Sequence, residues 1–418
     1  MDSQSFSLLF AAFLLATLSV KLWLSSRHIR HVARHRDTVP EQFAHKIPLA
    51  AHQKAADYTI AKSKLKIVLL TVNAIAVLGF TLLGGLQWLS EQLVPLAGRG
   101  MAYQLALIAA VTVISSVIDL PIDYYKQFRL EEKFGFNKMT PALFFSDLIK
   151  HSLVGAAIGL PLLWVTLTLM EKAGSLWWLY AWLIWCGFQI FMLGFYQNLI
   201  APLFNKFSPL EDESLRARIE GLMQRVGFAS KGLFVMDGSR RSAHGNAYFS
   251  GFGAAKRIVF FDTLLSRLQP NEIEAVLAHE LGHFKLNHVI KRIVMMFVLS
   301  LGFLALLGWL KNQVWFYTGL GVAPLMDGAN DAMALILFMF ALPVFTFLFS
   351  PLLSIMSRSN EFEADAFAAK HSNAQDLIAA LVKLYEDNAS TLTPDPLHSA
   401  FYDSHPPASV RVQKLLSA

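Results

Sequence analysis

Two histidines four residues apart, with a glutamate beside the first, stand at His279-Glu280-Leu281-Gly282-His283. On a helix turning about 100° per residue, the two imidazoles lie about 40° apart on one face. Ile273, Leu277, Leu281 and Phe284 fall on the opposite side, an apolar stripe that can pack while the histidines face a cavity. Two neutral imidazoles suit a zinc ion, and Glu280 can take a proton from water without being a ligand. A purely structural metal site would have no use for Glu280.

A catalytic tetrahedral site needs a third protein ligand and leaves the fourth position for water. The residues at 286 and 289, where one zinc-protease pattern has Gly and His, are Leu286 and Val289. If the helix continues, His288 lies about 180° from His279 and cannot join the pair. The carboxylates of "SRSNEFEADAFA" offer a better source: Glu361 and Asp365, spaced i, i+4, share a face, and Glu363 points away. One of the two can bind a metal while the other accepts the N–H of a ligand histidine.

The elements that must hold these residues belong to a membrane protein. Of 418 residues, 55% are hydrophobic and 16% charged, well below the charge of soluble domains. Seven segments are long and apolar enough to span a bilayer, near 6–24, 67–89, 102–120, 152–170, 176–196, 293–310 and 333–353. The first has no small-residue cleavage site after its apolar run, and Lys21 and Trp23 look like interfacial anchors, so it reads as a retained span. About ten residues separate His283 from the sixth span, roughly 15 Å if helical. The candidate metal site therefore sits at the rim of the membrane.

The formal charge of +6 is distributed by topology and does not mark a nucleic-acid surface. The 27–66 loop carries nine Lys or Arg and the 121–150 loop five, whereas 90–101, 171–175 and 311–332 carry one each. This alternation places 27–66, 121–150, 197–292 and the C-terminus in the cytoplasm. The histidines at 28, 31, 35, 45 and 52 read as solvated surface, and the lone Cys186 as a small buried residue.

The expected fold class is an all-α polytopic membrane protein with a small cytoplasmic α+β metalloprotease domain. Residues 1–196 form spans one to five. Residues 197–292 form the domain carrying the histidine pair, 293–356 spans six and seven, and 357–418 its C-terminal part. "GLFVMDG" and "KRIVFFDTLL" read as strands. "PNEIEAVLAHELGHF" reads as a helix opening at Pro270 and Asn271, with Glu274 as a start signal.

"HELGH", "SRSNEFEADAFA", "RRSAHGNAYFSG", "EEKFGFNKMT", "IAPLFNKFSPL" and "SHPP" together resemble the type I CAAX prenyl endopeptidases, a family of membrane zinc proteases related to the a-factor-converting enzyme. The resemblance runs from "DYTIAK" at 57–62 to "HPPASVR" near the C-terminus. It implies seven helices around a water-filled chamber closed by the zinc domain, with one zinc ion per chain. It also implies His279, His283 and Glu361 as ligands, Glu280 as general base, and Asp365 holding a ligand histidine from outside. Asn246 would bond the substrate main chain. His405, fixed by the two prolines after it, would donate to the developing oxyanion. Arg411 would be a structural ion-pair partner. The implied substrates are prenylated CAAX-type or other membrane-associated proteins, met at the bilayer, with no nucleic acid involved. The membrane would be a bacterial inner membrane or the endoplasmic reticulum.

Two rivals differ in class. A site-2-type intramembrane protease would use Asp327 of "PLMDG", which the charge pattern puts a bilayer away from His279. A seven-helix transporter or lipid-binding protein with structural metal would use polar groups inside its spans, such as Asp119.

Overall fold

The computed structural model describes residues 1–250, 256–325 and 330–417. Among them, seven helical stretches are long and apolar enough to cross a membrane. They are built on α1 (Ser3–Arg34), α2 (Leu49–Phe80), α4 (Met101–Tyr125), α5 (Pro141–Lys172), α6 (Trp177–Leu199), α9 (His288–Leu310) and α10 (Asp331–Thr346), with α3 (Gly85–Ala97) between the second and third. In six of the seven only 11–22% of the most apolar window is buried, so protein packing leaves most of that apolar surface uncovered.

The expected span over 67–89 is interrupted. Helix α2 stops at Phe80, Gly84 takes φ +80°, and α3 restarts at Gly85. A Cβ on Gly85 would meet the Gly79 carbonyl oxygen at 2.5 Å, so only glycine permits the chain to fold back this closely.

Beyond the membrane lies a four-stranded sheet of β1 (Phe207–Pro209), β2 (Leu233–Met236), β3 (Ala247–Ser250) and β4 (Arg257–Phe261), in the order β1-β2-β4-β3. Strand β2 pairs parallel with β4, the other pairs are antiparallel, and β3 is an edge. The two expected strands are β2 and β4. Helices α7 (Glu213–Arg225) and α8 (Pro270–Lys285) pack with α11 (Ser350–His371), α12 (Ala374–Asp387) and α14 (Ala408–Leu416) around this sheet. Ile219, Leu222, Ile258, Phe260, Leu277, Leu281 and Ile378 share one buried core. The two chain segments outside the membrane thus fold against each other, although two spans separate them in sequence.

Helix α8 opens at Pro270, as expected, but its cap lies two residues ahead of the Asn271 that Glu274 would serve. Gln269 is the N-cap, and its amide donates to Glu272 Oε2 at 2.7 Å. Glu274 instead accepts from Arg218 and Arg225 on α7 at 2.8 and 2.6 Å. The stretch 275–310 is not one continuous helix either. It breaks after Lys285, Asn287 adopts φ +60°, and α9 starts at His288. Asparagine tolerates this left-handed conformation at low cost, which lets the chain turn here without glycine.

Cys186 is a buried free thiol. The reading of the N-terminal histidines as solvated fails at two positions. His28 is 5% exposed and His52 1%. His28 stacks on His398, and His52 bonds the His35 carbonyl. Both partners come from folding that local charge density does not report.

Candidate metal centre

Helix α8 presents His279 and His283 toward α11, which presents Glu361 and Asp365 back. The two helices approach closely because small residues line the seam. Ala278, Ala364 and Ala368 are fully buried, and a Cβ on Gly282 would lie 3.1 Å from both Ala364 Cα and Phe367 Cβ. The glycine of the histidine motif is therefore a spacer.

His279, His283 and Glu361 each offer one ligand atom, all within 4.8 Å of one another. The two imidazole Nε2 atoms are 3.3 Å apart. His279 Nε2 lies 3.4 Å from Glu361 Oε2, and His283 Nε2 lies 3.3 Å from Glu361 Oε1. Ligands about 2.05 Å from a tetrahedral ion are separated by about 3.3 Å, so the histidine pair matches an edge of such a site and each Glu361 oxygen lies at a similar distance from one imidazole. Glu361 Oε2 is buried with no hydrogen-bond partner among the described residues, as an oxygen reserved for a cation would be. The donor set fits a divalent ion.

Outer contacts fix the first imidazole. His279 Nδ1 lies 2.9 Å from Asp365 Oδ1, leaving Nε2 to face the candidate ion position. Arg411 grips the same carboxylate with two hydrogen bonds of 2.9 and 2.6 Å, and all three groups are buried. The paired fork satisfies a charge that would otherwise be costly to bury. Burial disfavours a charged His279, yet the Asp365 and Glu361 carboxylates outweigh it and push the imidazole up to about 9. The same negative field favours a metal cation.

The second imidazole has a support that reading the motif as one helix excluded. Because the chain turns at Asn287, His288 Nδ1 comes within 3.1 Å of His283 Nδ1, and His288 Nε2 within 3.1 Å of Glu363. Glu363 does point away from the candidate ligand group, but it anchors the residue that touches His283. The Lys285-Leu286-Asn287 sequence held the one signal that could have revealed this, an asparagine suited to a helix break.

The remaining expected residues lie around this group. Glu280 is half-buried beside His279. His405 Nε2 lies 3.4 Å from Glu361 Oε1, with its side chain 61% exposed. Asn246 is exposed at the entrance to β3, where its Oδ1 accepts from the Ala247 amide at 2.8 Å. Arg411 is the ion-pair partner expected. Asp327 lies outside the described residues.

Comparison with known proteins gives this arrangement relatives. Residues 28–206 match the CAAX prenyl protease N-terminal family of five membrane helices, and residues 209–418 match peptidase family M48. CAAX prenyl protease 1 homolog of Arabidopsis thaliana is 36% identical, with 90% of each chain covered. The Homo sapiens homolog is 32% identical over 97% of this chain and 95% of its own. The crystal structure of S. mikatae Ste24p superposes with a TM-score of 0.92 at 33% identity, covering 98% of this chain and 99% of the other.

If these contacts hold an ion, their removal ranks by distance from it. Glu361→Ala should lose most bound metal, Asp365→Asn should weaken metal affinity about 10–100-fold, and Glu363→Ala should remain metal-loaded. Metal analysis after equilibrium dialysis tests the order. A metal-loaded Glu361→Ala protein would move the third ligand elsewhere.

Gly282→Ala should also weaken metal retention. Alanine gains about 1 kcal/mol in helix propensity. Overpacking the seam costs about 1–3 kcal/mol, and the neighbour that must yield is backbone. A Gly282→Ala protein with normal metal affinity and raised thermal stability would disprove the spacer role.

Proposed function

The chain belongs to peptidase family M48 and is an integral-membrane metalloprotease, and on that premise we propose that it is a zinc endopeptidase cleaving prenylated proteins near a CAAX-type C-terminus. The observation that carries the reading is the pair of imidazole Nε2 atoms 3.3 Å apart, each 3.3–3.4 Å from one oxygen of Glu361, set where α8 turns into a membrane helix. Two imidazoles and one carboxylate are the donor set of hydrolytic zinc sites with an open fourth position. The substrate class rests on the relatives' names and on the site's place, where α8 gives way to a membrane helix.

A bound ion supplies Lewis acidity, polarising the scissile carbonyl and acidifying water. This chain's own residues do the rest. Glu280 takes the proton from the attacking water and passes it to the leaving amine. His405, across the Glu361 carboxylate from the histidine pair, donates an N–H to the oxyanion as it develops. Edge strand β3 can bind an extended peptide through its backbone. Asn246 already spends its Oδ1 on the Ala247 amide, so its Nδ2 is the donor it offers a substrate carbonyl. The basic loops place this machinery on the cytoplasmic side, with 197–292 and 357–418 acting as one protease domain between and after the spans.

Removing the proton acceptor should separate chemistry from metal binding. Glu280→Gln should keep zinc and fold but lose about 10²–10⁴ in kcat on a farnesylated CAAX peptide. His405→Ala should lose about 10²–10³. Near wild-type turnover by zinc-loaded Glu280→Gln would refute this assignment.

Orientation is tested in a Cys186→Ala background. An impermeant maleimide should label Asn312→Cys only from outside and Gln375→Cys only from inside, in sealed vesicles of both orientations. Labelling of both from one side would reverse or break the proposed topology.

A further inference from the structure

A second cavity opens directly beside His405. It has a volume of about 430 Å³ and is lined by α1, α2 and the segment from Tyr385 to Pro407. Such a volume lies in the range that encloses a small ligand or a short peptide tail. Its charge is unusual. Lys62 and Lys66, one helical turn apart on α2, both line it. Among the described residues neither ammonium has a carboxylate within ion-pair distance. Instead Lys66 Nζ sits 3.1 Å from the centroid of the Tyr402 ring, and Lys62 Nζ 3.9 Å from that of Tyr58. Aromatic faces hold the two cations in place, and the carboxylates that attract them, Glu131 for Lys62 and Asp403 for Lys66, stand beyond ion-pair distance.

Two further polar atoms in the same wall lack partners. Tyr402 Oη and His398 Nδ1 are buried without a hydrogen bond among the described residues. Both atoms lie behind the cavity surface, so the two lysines supply the charge that an occupant meets. Burial holds the His398 imidazole down to about 3, so it adds a neutral polar group and the lysines supply the positive charge. Asp403 is the one acid among the described residues lining the cavity, where burial pushes its carboxyl up against the pull of Lys66, so two lysines face a single carboxylate. The expected occupant is therefore an anion.

We propose that this cavity binds the free C-terminal carboxylate of the substrate, with Lys62 and Lys66 as its counter-charges. The inference deepens the function proposed above and rests on it. His405 joins the cavity to the candidate metal centre, standing 3.4 Å from Glu361. An extended three-residue tail spans about 10 Å, so an anion docked here sits within a few residues of the scissile bond. A carboxylate at that distance is what a chain end provides and an internal sequence does not. The lysines thus act as specificity determinants, measuring the distance from the cut to the end of the chain.

The test uses the full-length zinc-loaded enzyme and two farnesylated peptides ending in Cys-Val-Ile-Ala, one a free acid and one a C-terminal amide. The acid should be cleaved with kcat/KM about 10–100-fold higher, mainly through KM, as expected for a charge-assisted contact. Lys62→Gln/Lys66→Gln should collapse that ratio to about 1–3, and Lys62→Arg/Lys66→Arg should restore it. In parallel, calorimetry of the tripeptide Val-Ile-Ala on Glu280→Gln enzyme should show the acid binding more tightly than the amide, with the preference lost in the Gln pair. Equal affinity for the two tripeptides, or an acid-to-amide ratio unchanged by the Gln pair, overturns the proposal. If neither farnesylated peptide is cleaved but the tripeptide acid still binds selectively, the substrate reading falls while the carboxylate site stands.

Discussion

The candidate metal centre depends on one packing contact, the close approach of α8 and α11 at Gly282. Neither helix carries a complete ligand set. Two imidazoles on one helix and a carboxylate on another become a tetrahedral group only if the backbones come near enough for short side chains to converge. Gly282, Ala278, Ala364 and Ala368 remove the side-chain volume that would keep them apart. The Arg411–Asp365–His279 chain then locks the register of the two helices with buried, directional bonds. Apolar packing sets the distance, and the ion-pair chain sets the rotation. Neither alone would bring the Glu361 carboxylate within 3.3–3.4 Å of both imidazoles.

A second constraint joins water chemistry to a bilayer. A continuous helix from 270 to 310 would carry the histidine face straight into lipid, about 5 Å per turn, and leave His288 on the far side. The left-handed Asn287 ends α8 and starts α9 in a new direction. It also delivers His288 to His283, so the break that separates the two environments supports the second imidazole as well. This economy explains why the sixth span can begin only five residues after the second histidine of the motif.

Much of this was legible in the sequence, and the failures share one cause. Spans, the histidine face and the Glu361/Asp365 spacing are periodic signals, and periodicity survives without tertiary knowledge. Which carboxylate faces the ion and which holds the imidazole depends on where another helix lies, and spacing left that open until the family resemblance supplied it. The breaks at Gly84-Gly85 and Asn287 were marked by residues that tolerate positive φ. They were overridden by hydropathy windows that average across a turn. His28 and His52 were misread because a run of basic residues looks solvated locally. His28 is buried against His398, hundreds of residues away in the chain, and His52 against the His35 carbonyl of the preceding helix end.

The segment bearing His405 shows how far the membrane body reaches into the chemistry. Arg27, near the end of α1, holds Asp395 through hydrogen bonds of 3.0 and 2.9 Å. Asp395 in turn caps the helix Pro396–Tyr402 through the His398 amide. Arg358, one turn before Glu361 on α11, donates to the Ser399 and Asp403 carbonyls at 3.1 and 3.2 Å. His405 follows two residues later, and Pro406 and Pro407 fix the backbone into α14, which carries Arg411. His405 is thus positioned from three directions: the first membrane helix, the helix that carries Glu361, and the helix that carries Arg411. A shift of α1 relative to α11 would have to be absorbed at Asp395, at the head of the helix that leads to His405. The membrane helices are therefore part of the scaffold that positions the His405 segment, and the protease domain cannot be treated as a soluble unit tethered to an anchor.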